Sequence, residues 1–317
     1  MNAAAILIPC YNAADFLEAT LQSAVENMEV GDELVLVDDH SKDESFSLAK
    51  KFLSHSGVNF TASKNPSKGA CAARNHALSI SKNPLIQWLD ADDILGKDKL
   101  KEQKLKLAGN PNSILVSPFV PFIGNPETGF LDEHRDWNYP EVLTGADWLA
   151  SGQMTIPACW LGPRHLFEHA GPWDTQLKVN QDGEYFARVL AQAKSVIFEP
   201  NVTVWYRRGN NASVSQFSAE KAASLFASVD SIHKTTLALE DSPRMRQMLS
   251  NRYQHAIYTA YPHCQAGIEK ARSALKGLPK PTISNPNAMS PMSQCISSIF
   301  GWKMLTRFRL LRNKLSP

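Results

Sequence analysis

Residues 85–93 read Leu85-Ile86-Gln87-Trp88-Leu89-Asp90-Ala91-Asp92-Asp93, a largely apolar run ending in three carboxylates within four positions. The apolar part has the length of a buried strand, and open α/β sheets bind ligands at the carboxyl ends of such strands. Acids this close repel one another unless something neutralises them. A hard divalent ion does so with one or two carboxylates, the phosphates of a substrate completing its shell. A solvated acidic turn explains the same residues, and the stretch alone leaves both readings open.

Upstream residues make the stretch part of a sheet. Ala4-Ala5-Ile6-Leu7-Ile8 predicts a first strand, broken by Pro9 and followed by Cys10-Tyr11-Asn12. Phe16, Leu17, Leu21, Ala24 and Val25 then recur at helical spacing. Leu34 to Val37 predicts a second strand, closed by Asp38-Asp39-His40-Ser41, with Asp43 placed to cap the next helix. A third strand is expected from Val58 to Ala62, a helix of small residues from Ala70 through Arg74 to Ile80, and a fourth strand ending at Asp90. Alternation of this kind predicts a parallel sheet with right-handed crossovers. Pro9 to Asn12, Asp38 to Ser41 and Asp90 to Asp93 each follow a strand, so the three segments should converge on one sheet edge.

Two common phosphate-binding signatures are missing. No G-x-G-x-x-G follows the first strand, Pro9 stands where a phosphate-cradling glycine would be wanted, and there is no P-loop. Asp38-Asp39 could bond a ribose or a base N–H, or simply form a capping turn.

Four segments in order carry a resemblance: Ile8-Pro9-Cys10-Tyr11-Asn12, Val37-Asp38-Asp39-His40-Ser41-Lys42-Asp43, Gly69-Ala70-Cys71-Ala72-Ala73-Arg74-Asn75 and Leu89-Asp90-Ala91-Asp92-Asp93. Together they resemble the inverting glycosyltransferase family 2, which has the GT-A fold. The likeness covers residues 3–100 firmly and extends more loosely to residue 215. It implies an α/β fold with a mostly parallel sheet flanked by helices, and a donor site for a nucleotide-diphosphate sugar, most often a UDP-sugar. By motif position Pro9, Tyr11 and Asn12 would line that site, with Tyr11 against the base. Asp39 would bond the base edge, and Arg74 would approach the diphosphate or help order the base pocket. Asp90 would face the ribose, Ala91 would belong to the same donor site, and Asp92 would ligate Mg²⁺ or Mn²⁺. Such a cation neutralises a leaving diphosphate without proton transfer. His40 replaces the family's usual glycine, so its turn must be one that a non-glycine residue can adopt.

The second half should supply the acceptor side. Asn180-Gln181-Asp182-Gly183-Glu184-Tyr185-Phe186 opens a helix with Phe186, Val189 and Leu190 spaced for burial. In the family a carboxylate here deprotonates the acceptor hydroxyl, and Asp182 matches it; a helix cap is the plainer alternative. Glu184 is the fallback base. Trp137, Tyr139, Trp148, Trp160 and Trp173 lie between. Aromatic faces suit sugars, and Trp160 is the preferred acceptor contact, while Trp173 is expected in the core. Family members often carry a histidine after the strand predicted at Val202 to Arg208. This chain has none there, which leaves Arg207, whose planar fork suits phosphate, Arg208 or the amides of Asn210 and Asn211 to meet the diphosphate, or nothing at all. The stretch from Gly209 to Ser215 could be a lid or an ordinary surface loop.

Composition sets the remaining bounds. The 317 residues accommodate a catalytic domain over 1–215 (donor half 1–115, acceptor half 116–215), a helical extension over 216–277, and a linker with a basic amphipathic segment over 278–317. Five scattered cysteines form no C-x-x-C pair, which argues against a zinc site or disulfide framework and for a reducing cytoplasm. The first strand begins too early for a leader, and no run of about 18 apolar residues exists. Residues 270–317 carry +9 of a net +2, which leaves −7 for the first 269. The last segment mixes Ile299, Phe300, Trp302, Leu305 and Phe308 with five cations. It fits an anionic membrane surface, on the inner face for a cytoplasmic protein, or a docking helix on this chain or on the twin subunit of a homodimer. Membrane contact would suit a glycan or lipid-linked acceptor. Nucleic acid is excluded as a partner, since the cations are confined to one tail and no reading motif is present. Besides a metal-dependent transferase, a catalytically silent nucleotide-sugar-binding or scaffold protein stays open, and more weakly a nucleotidyltransferase.

Overall fold

The computed structural model describes residues 3–131, 137–153, 155–209, 217–285 and 301–307. They fall into two compact units: Met1–Thr175 with Gln181–Val214, and Gln176–Asn180 with Ser215–Pro317.

The first unit is built on strands β1 (Ala4–Cys10), β2 (Glu33–Asp38), β3 (Asn59–Lys64) and β4 (Leu85–Trp88). Contiguous apolar runs make β1, β2 and β4 almost wholly buried, as both-face-covered parallel strands require. β1 pairs in parallel with β2 and with β4, and β2 with β3. Between them run α1 (Ala14–Asn27), α2 (Ser45–Ser56) and α3 (Ala70–Ile80). The expected third strand shifts to Asn59–Lys64. It is the partly exposed edge of the sheet, where apolar patterning says little. The helix expected after Asp43 begins at Ser45. Asp43 accepts the Ser45 N–H and hydroxyl, and its other oxygen accepts the Ala14 N–H at 3.1 Å, so it ties two helix starts together.

The rest of the unit adds β5 (Ile94–Leu95), α4 (Lys99–Leu107), β6 (Ser113–Val116), β7 (Phe119–Phe122), β8 (Val142–Leu143), α5 (Gly145–Ser151), β9 (Trp160–Pro163), α6 (Arg164–His169), α7 (Gln181–Gln192), β10 (Ser195–Phe198) and β11 (Val204–Arg207). The large sheet has the order β3-β2-β1-β4-β9-β6-β10-β8, with β9 antiparallel between β4 and β6. A small sheet, β5-β11-β7, places Arg207 opposite Phe122. It begins two residues after Asp92, so it determines what surrounds the acidic turn. Below the sheet edge, Trp88 meets Phe167, Trp173 and Tyr185 edge-on.

The second unit holds α8 (Ala219–Leu239), α9 (Pro243–Ala260) and α10 (Gln265–Leu275), with Ser218 and Ser242 capping the first two. Ala222, Phe226, Val229 and Ile232 form the buried face of α8, with Leu225 partly buried beside them. Residues 278–285 run along α9: Ser250 donates to the Pro279 carbonyl and the Thr282 N–H donates to Asn251. At 301–307 a helical turn sets Trp302 edge-on against Tyr258 and Tyr261. For this part of the C-terminal segment, docking on the chain's own helices is what the structure has. Residues 286–300 and 308–317 of that segment lie outside the described residues. Among the described residues no helix is long and apolar enough to cross a membrane.

Candidate functional site

The three polar segments do converge. The Asp39 N–H donates to the Cys10 carbonyl at 2.7 Å, the Asn12 N–H to the Ser41 hydroxyl, and the Lys42 N–H to the Asn12 side-chain oxygen at 2.8 Å. Two non-glycine residues are left-handed in this junction, Asn12 at φ 46° and His40 at φ 63°. His40 therefore keeps the conformation that a glycine would adopt without steric cost, and its ring nitrogen lies 2.7 Å from the Ser67 carbonyl.

A cavity of about 280 Å³ opens at this edge. Pro9, Tyr11, Asn12, Asp39, Arg74, Asp90, Ala91 and Asp92 all line it. Four further lining residues, Cys10, Ala13, Ala70 and Ala73, are small and carry no motif signal beyond their place beside those residues. A groove of about 730 Å³ lies between α1 and α2 and shares none of these residues. Tyr11 is 55% exposed and offers its ring at the lip. Burial pushes the Cys10 thiol up to about 12, with the Asp38 charge adding to it, so no thiolate nucleophile is present at neutral pH.

Asp39 is buried and fixed from below. Asn65 donates to it at 2.7 Å, and the Gly69 N–H reaches both carboxylate oxygens at 2.9 Å. Gly69 stands at φ 106°, which only glycine adopts readily. Both holders sit in the Lys64-to-Gly69 segment, whose composition marks a turn but gives no sign of this task.

Arg74 is buried on α3 and pairs with the Asp90 carboxylate at 2.6 Å. Burial opposes its charge, but Asp90, with smaller help from Cys71 and Asp182, reverses that and keeps the guanidinium protonated. Asp90 thus has one oxygen committed to Arg74, where the motif reading had it facing the ribose alone. Asp93, left without a role by the motif, accepts the Arg207 N–H at 3.1 Å. Burial, then the charges of Asp92 and Asp90, push its carboxyl well above the usual aspartate range.

Arg207 is at the site but engages protein groups. Its Nε donates to the Asp92 carbonyl and an Nη to the Gly124 carbonyl, both at 2.9 Å. The guanidinium lies over the rings of Phe16 and Phe122. Asn210 and Asn211, with the lid reading of residues 210–215, lie outside the described residues.

Asp182 sits in the first turn of α7, partly buried, and accepts the Gly183 N–H at 2.9 Å. Burial raises its pKa; that N–H and the Arg74 charge oppose the rise, while Asp90 adds to it. It therefore lies within the field of the Arg74–Asp90 pair. Glu184 is withdrawn as an alternative: it is buried, and both its oxygens bind Arg188 at 2.8 Å.

Trp160 is also withdrawn as an acceptor contact. It is fully buried, stacked on Phe186 at 5.2 Å, with its indole N–H donating to Thr155. Trp148 and Trp173 are buried as well, whereas Trp137 and Tyr139 keep partial exposure.

Among the described residues no group of three or more His, Cys, Asp or Glu side chains is arranged to cage a metal. A small hard cation does not need a cage: it keeps waters and takes one or two carboxylates plus substrate phosphates. The carboxylate oxygens of Asp92 at the cavity rim fit that donor chemistry.

This architecture is found in solved proteins. Over 82% of the chain it superposes on 72% of the S. aureus TarS 1-349 crystal structure with a TM-score of 0.63 and 16% identity. Against TarS 1-349 in complex with UDP-GlcNAc the score is 0.61, at 14% identity, covering 86% of this chain and 88% of that one. The fold is thus GT-A. Residues 5–171 match the family model "Glycosyl transferase family 2", and the chain belongs to that family. Among curated relatives, the succinoglycan biosynthesis protein ExoU of Rhizobium meliloti is 39% identical over 30% of this chain and 28% of its own length. The UDP-Glc:alpha-D-GlcNAc-diphosphoundecaprenol beta-1,3-glucosyltransferase WfaP of Escherichia coli is 33% identical over 32% of this chain and 40% of its own. The matches therefore span well under half the length of these relatives.

Proposed function

We propose that this family 2 glycosyltransferase moves a hexose, with inversion, from a UDP-sugar to a hydroxyl of a glycan or lipid-linked acceptor. The observation that carries the proposal is the single cavity holding Tyr11, Asp39, Arg74, Asp90 and Asp92, with Asp182 in the field of its Arg74–Asp90 pair. A TarS structure with UDP-GlcNAc and a relative named for UDP-Glc transfer support the donor class.

In this reading Tyr11 stacks on the uracil, Asp39 accepts from its edge, and Pro9, Asn12 and Ala91 shape the walls. Arg74 neutralises the diphosphate and Asp90 orients Arg74 and meets the ribose. Asp92 would hold Mn²⁺ or Mg²⁺ with the diphosphate oxygens, and the ion would supply charge neutralisation of the leaving group. The acceptor oxygen bonds to the anomeric carbon as the bond from that carbon to the diphosphate oxygen breaks. The electron pair leaves with UDP, and the hydroxyl proton passes to Asp182. One base on the face opposite the leaving group suffices for inversion, so no covalent nucleophile is needed.

The experiment is nucleotide release from UDP-glucose and UDP-N-acetylglucosamine with Mn²⁺ and a panel of acceptors. Loss of release in both Asp92→Ala and Asp182→Ala supports the proposal. Donor binding by calorimetry with no release on any acceptor, water included, favours the silent binding protein instead. No affinity for UDP or its sugars sinks both.

A further inference from the structure

Asn75 and Trp173, neither given a role above, join the donor cavity to the helix that carries the base. The Asn75 side chain donates to the Trp173 carbonyl at 2.9 Å and accepts the Trp173 N–H at 2.8 Å. This reciprocal pair clamps the 171–173 turn onto α3, one residue after Arg74. The Arg74 guanidinium in turn lies 4.7 Å from the Trp173 ring centre. Its end reaches Asp90 in the cavity while its face rests on the indole.

The indole also stacks on Tyr185 at 4.0 Å with the planes 15° apart. Tyr185 lies on α7 three positions after Asp182, one turn along the same side of the helix. Arg188, a further turn along, donates to the Ala170 and Pro172 carbonyls and so binds the same turn to α7. The turn is thus held by α3 through Asn75 and by α7 through Arg188 and Tyr185.

The bonds from Asn75 and Arg188 fix the main chain of this turn, so the indole is not left to settle by packing alone. Trp173 is instead the shared face between a cation that reaches into the cavity and a ring on the base helix. A diphosphate arriving at Arg74 must compete with Asp90 for the guanidinium. Any resulting shift of the guanidinium acts on the indole beneath it.

We propose that Asn75 and Trp173 are positioning residues that couple occupancy of the donor cavity to the placement of Asp182, an inference that rests on the function proposed above. Asn75 sets the turn, and Trp173 passes the position of Arg74 to Tyr185 and hence to the first turn of α7.

Hydrogen exchange with UDP and Mn²⁺ as the probe tests this without needing the natural acceptor. In the wild type, UDP should slow exchange at the β1 and β4 ends and also across residues 181–192 of α7. In Asn75→Ala, UDP affinity should stay within about twofold, the scatter of an uncoupled site, while the slowing over α7 disappears. Trp173→Phe should behave alike, and it serves as the second variant should Asn75→Ala not fold. Where UDP-glucose is turned over, kcat should fall about tenfold or more with donor KM little changed, the mark of a displaced base. Equal α7 slowing in variant and wild type overturns the coupling, as does UDP binding to the wild type that leaves α7 unaffected. Absence of UDP binding anywhere in the wild type overturns the proposed function, and the coupling with it.

Discussion

Arg207 Nε donates to the backbone carbonyl of Asp92 at 2.9 Å, so a strand outside the donor motifs determines how the acidic turn is presented. The small sheet brings β11 beside β5, and the guanidinium then bridges to Gly124 while two phenyl rings cover it. A direct phosphate contact would depend on charge, whereas this arrangement depends on a planar fork with several donors.

Replacing Arg207 by lysine separates the two roles. A lysine keeps the charge but cannot reach both carbonyls from one point, so Arg207→Lys should lose Mn²⁺-dependent UDP affinity nearly as far as Arg207→Ala. We expect about a tenfold loss in each, equivalent to about 1.4 kcal/mol. Calorimetry decides it: near-complete rescue by lysine would return Arg207 to the role of a phosphate contact.

The pH profile should report Asp182. Its carboxyl is raised by burial, and a base works only when ionised, so activity should fall as pH drops through a value above the ordinary aspartate range. Arg74 holds that value down. Arg74→Gln removes the cation and unmasks Asp90, and both changes favour the protonated form. The acid limb of kcat/KM should therefore move to higher pH in Arg74→Gln, whatever happens to the rate at its plateau. A limb that stays in place would remove Asp182 from the role of base.

Much of this was legible in the sequence, and the gaps have physical causes. Buried parallel strands are contiguous apolar runs, so β1 and β2 could be read closely, and the small-residue helix runs over Ala70 to Ile80 as its spacing predicts. The antiparallel entry of β9 between β4 and β6 could not be read, because pairing of distant strands leaves no local trace. That insertion is also why Trp160 fails as an acceptor contact: an inner strand of a covered sheet buries its side chains. The cavity residues come from motif position, but what holds them does not. Asn65 and Gly69 beneath Asp39, and Arg207 behind Asp92, act through bonds across 26, 30 and 115 positions, which no short pattern encodes.

His40 makes the left-handed turn a testable point. A non-glycine residue at φ 63° carries a steric cost, and the ring contact to the Ser67 carbonyl offsets part of it. His40→Gly and His40→Asn should leave stability within about 1 kcal/mol, since both tolerate the conformation. A β-branched residue does not, and His40→Val should destabilise by about 1–3 kcal/mol and loosen UDP binding, because the same turn carries Asp39. Denaturant titration of the three variants checks the order; a valine variant as stable as the glycine one would show that the turn relaxes freely.

Lys99 gives the chain a stability that rises into alkaline pH. It is fully buried on α4, and its ammonium has the amide oxygens of Gln87 and Gln103 at 2.7 Å as hydrogen-bond partners. Burial pushes its pKa down from 10.5 to about 7. Below that value both folded and unfolded chains carry the proton, and the folded state bears the full burden of a buried charge. Between about 7 and 10.5 the folded lysine is neutral while the unfolded one is still protonated. The unfolded state then binds more protons, so stability climbs with pH, by at most about 1.4 kcal/mol per unit from this group. Lys99→Met leaves two amide oxygens unpaired and should be less stable throughout, but its stability should lose this group's share of the rise between pH 7 and 9. Urea unfolding at the two pH values, for wild type and variant, gives the comparison. Parallel slopes would mean that Lys99 stays charged inside the fold, held by the two glutamines alone.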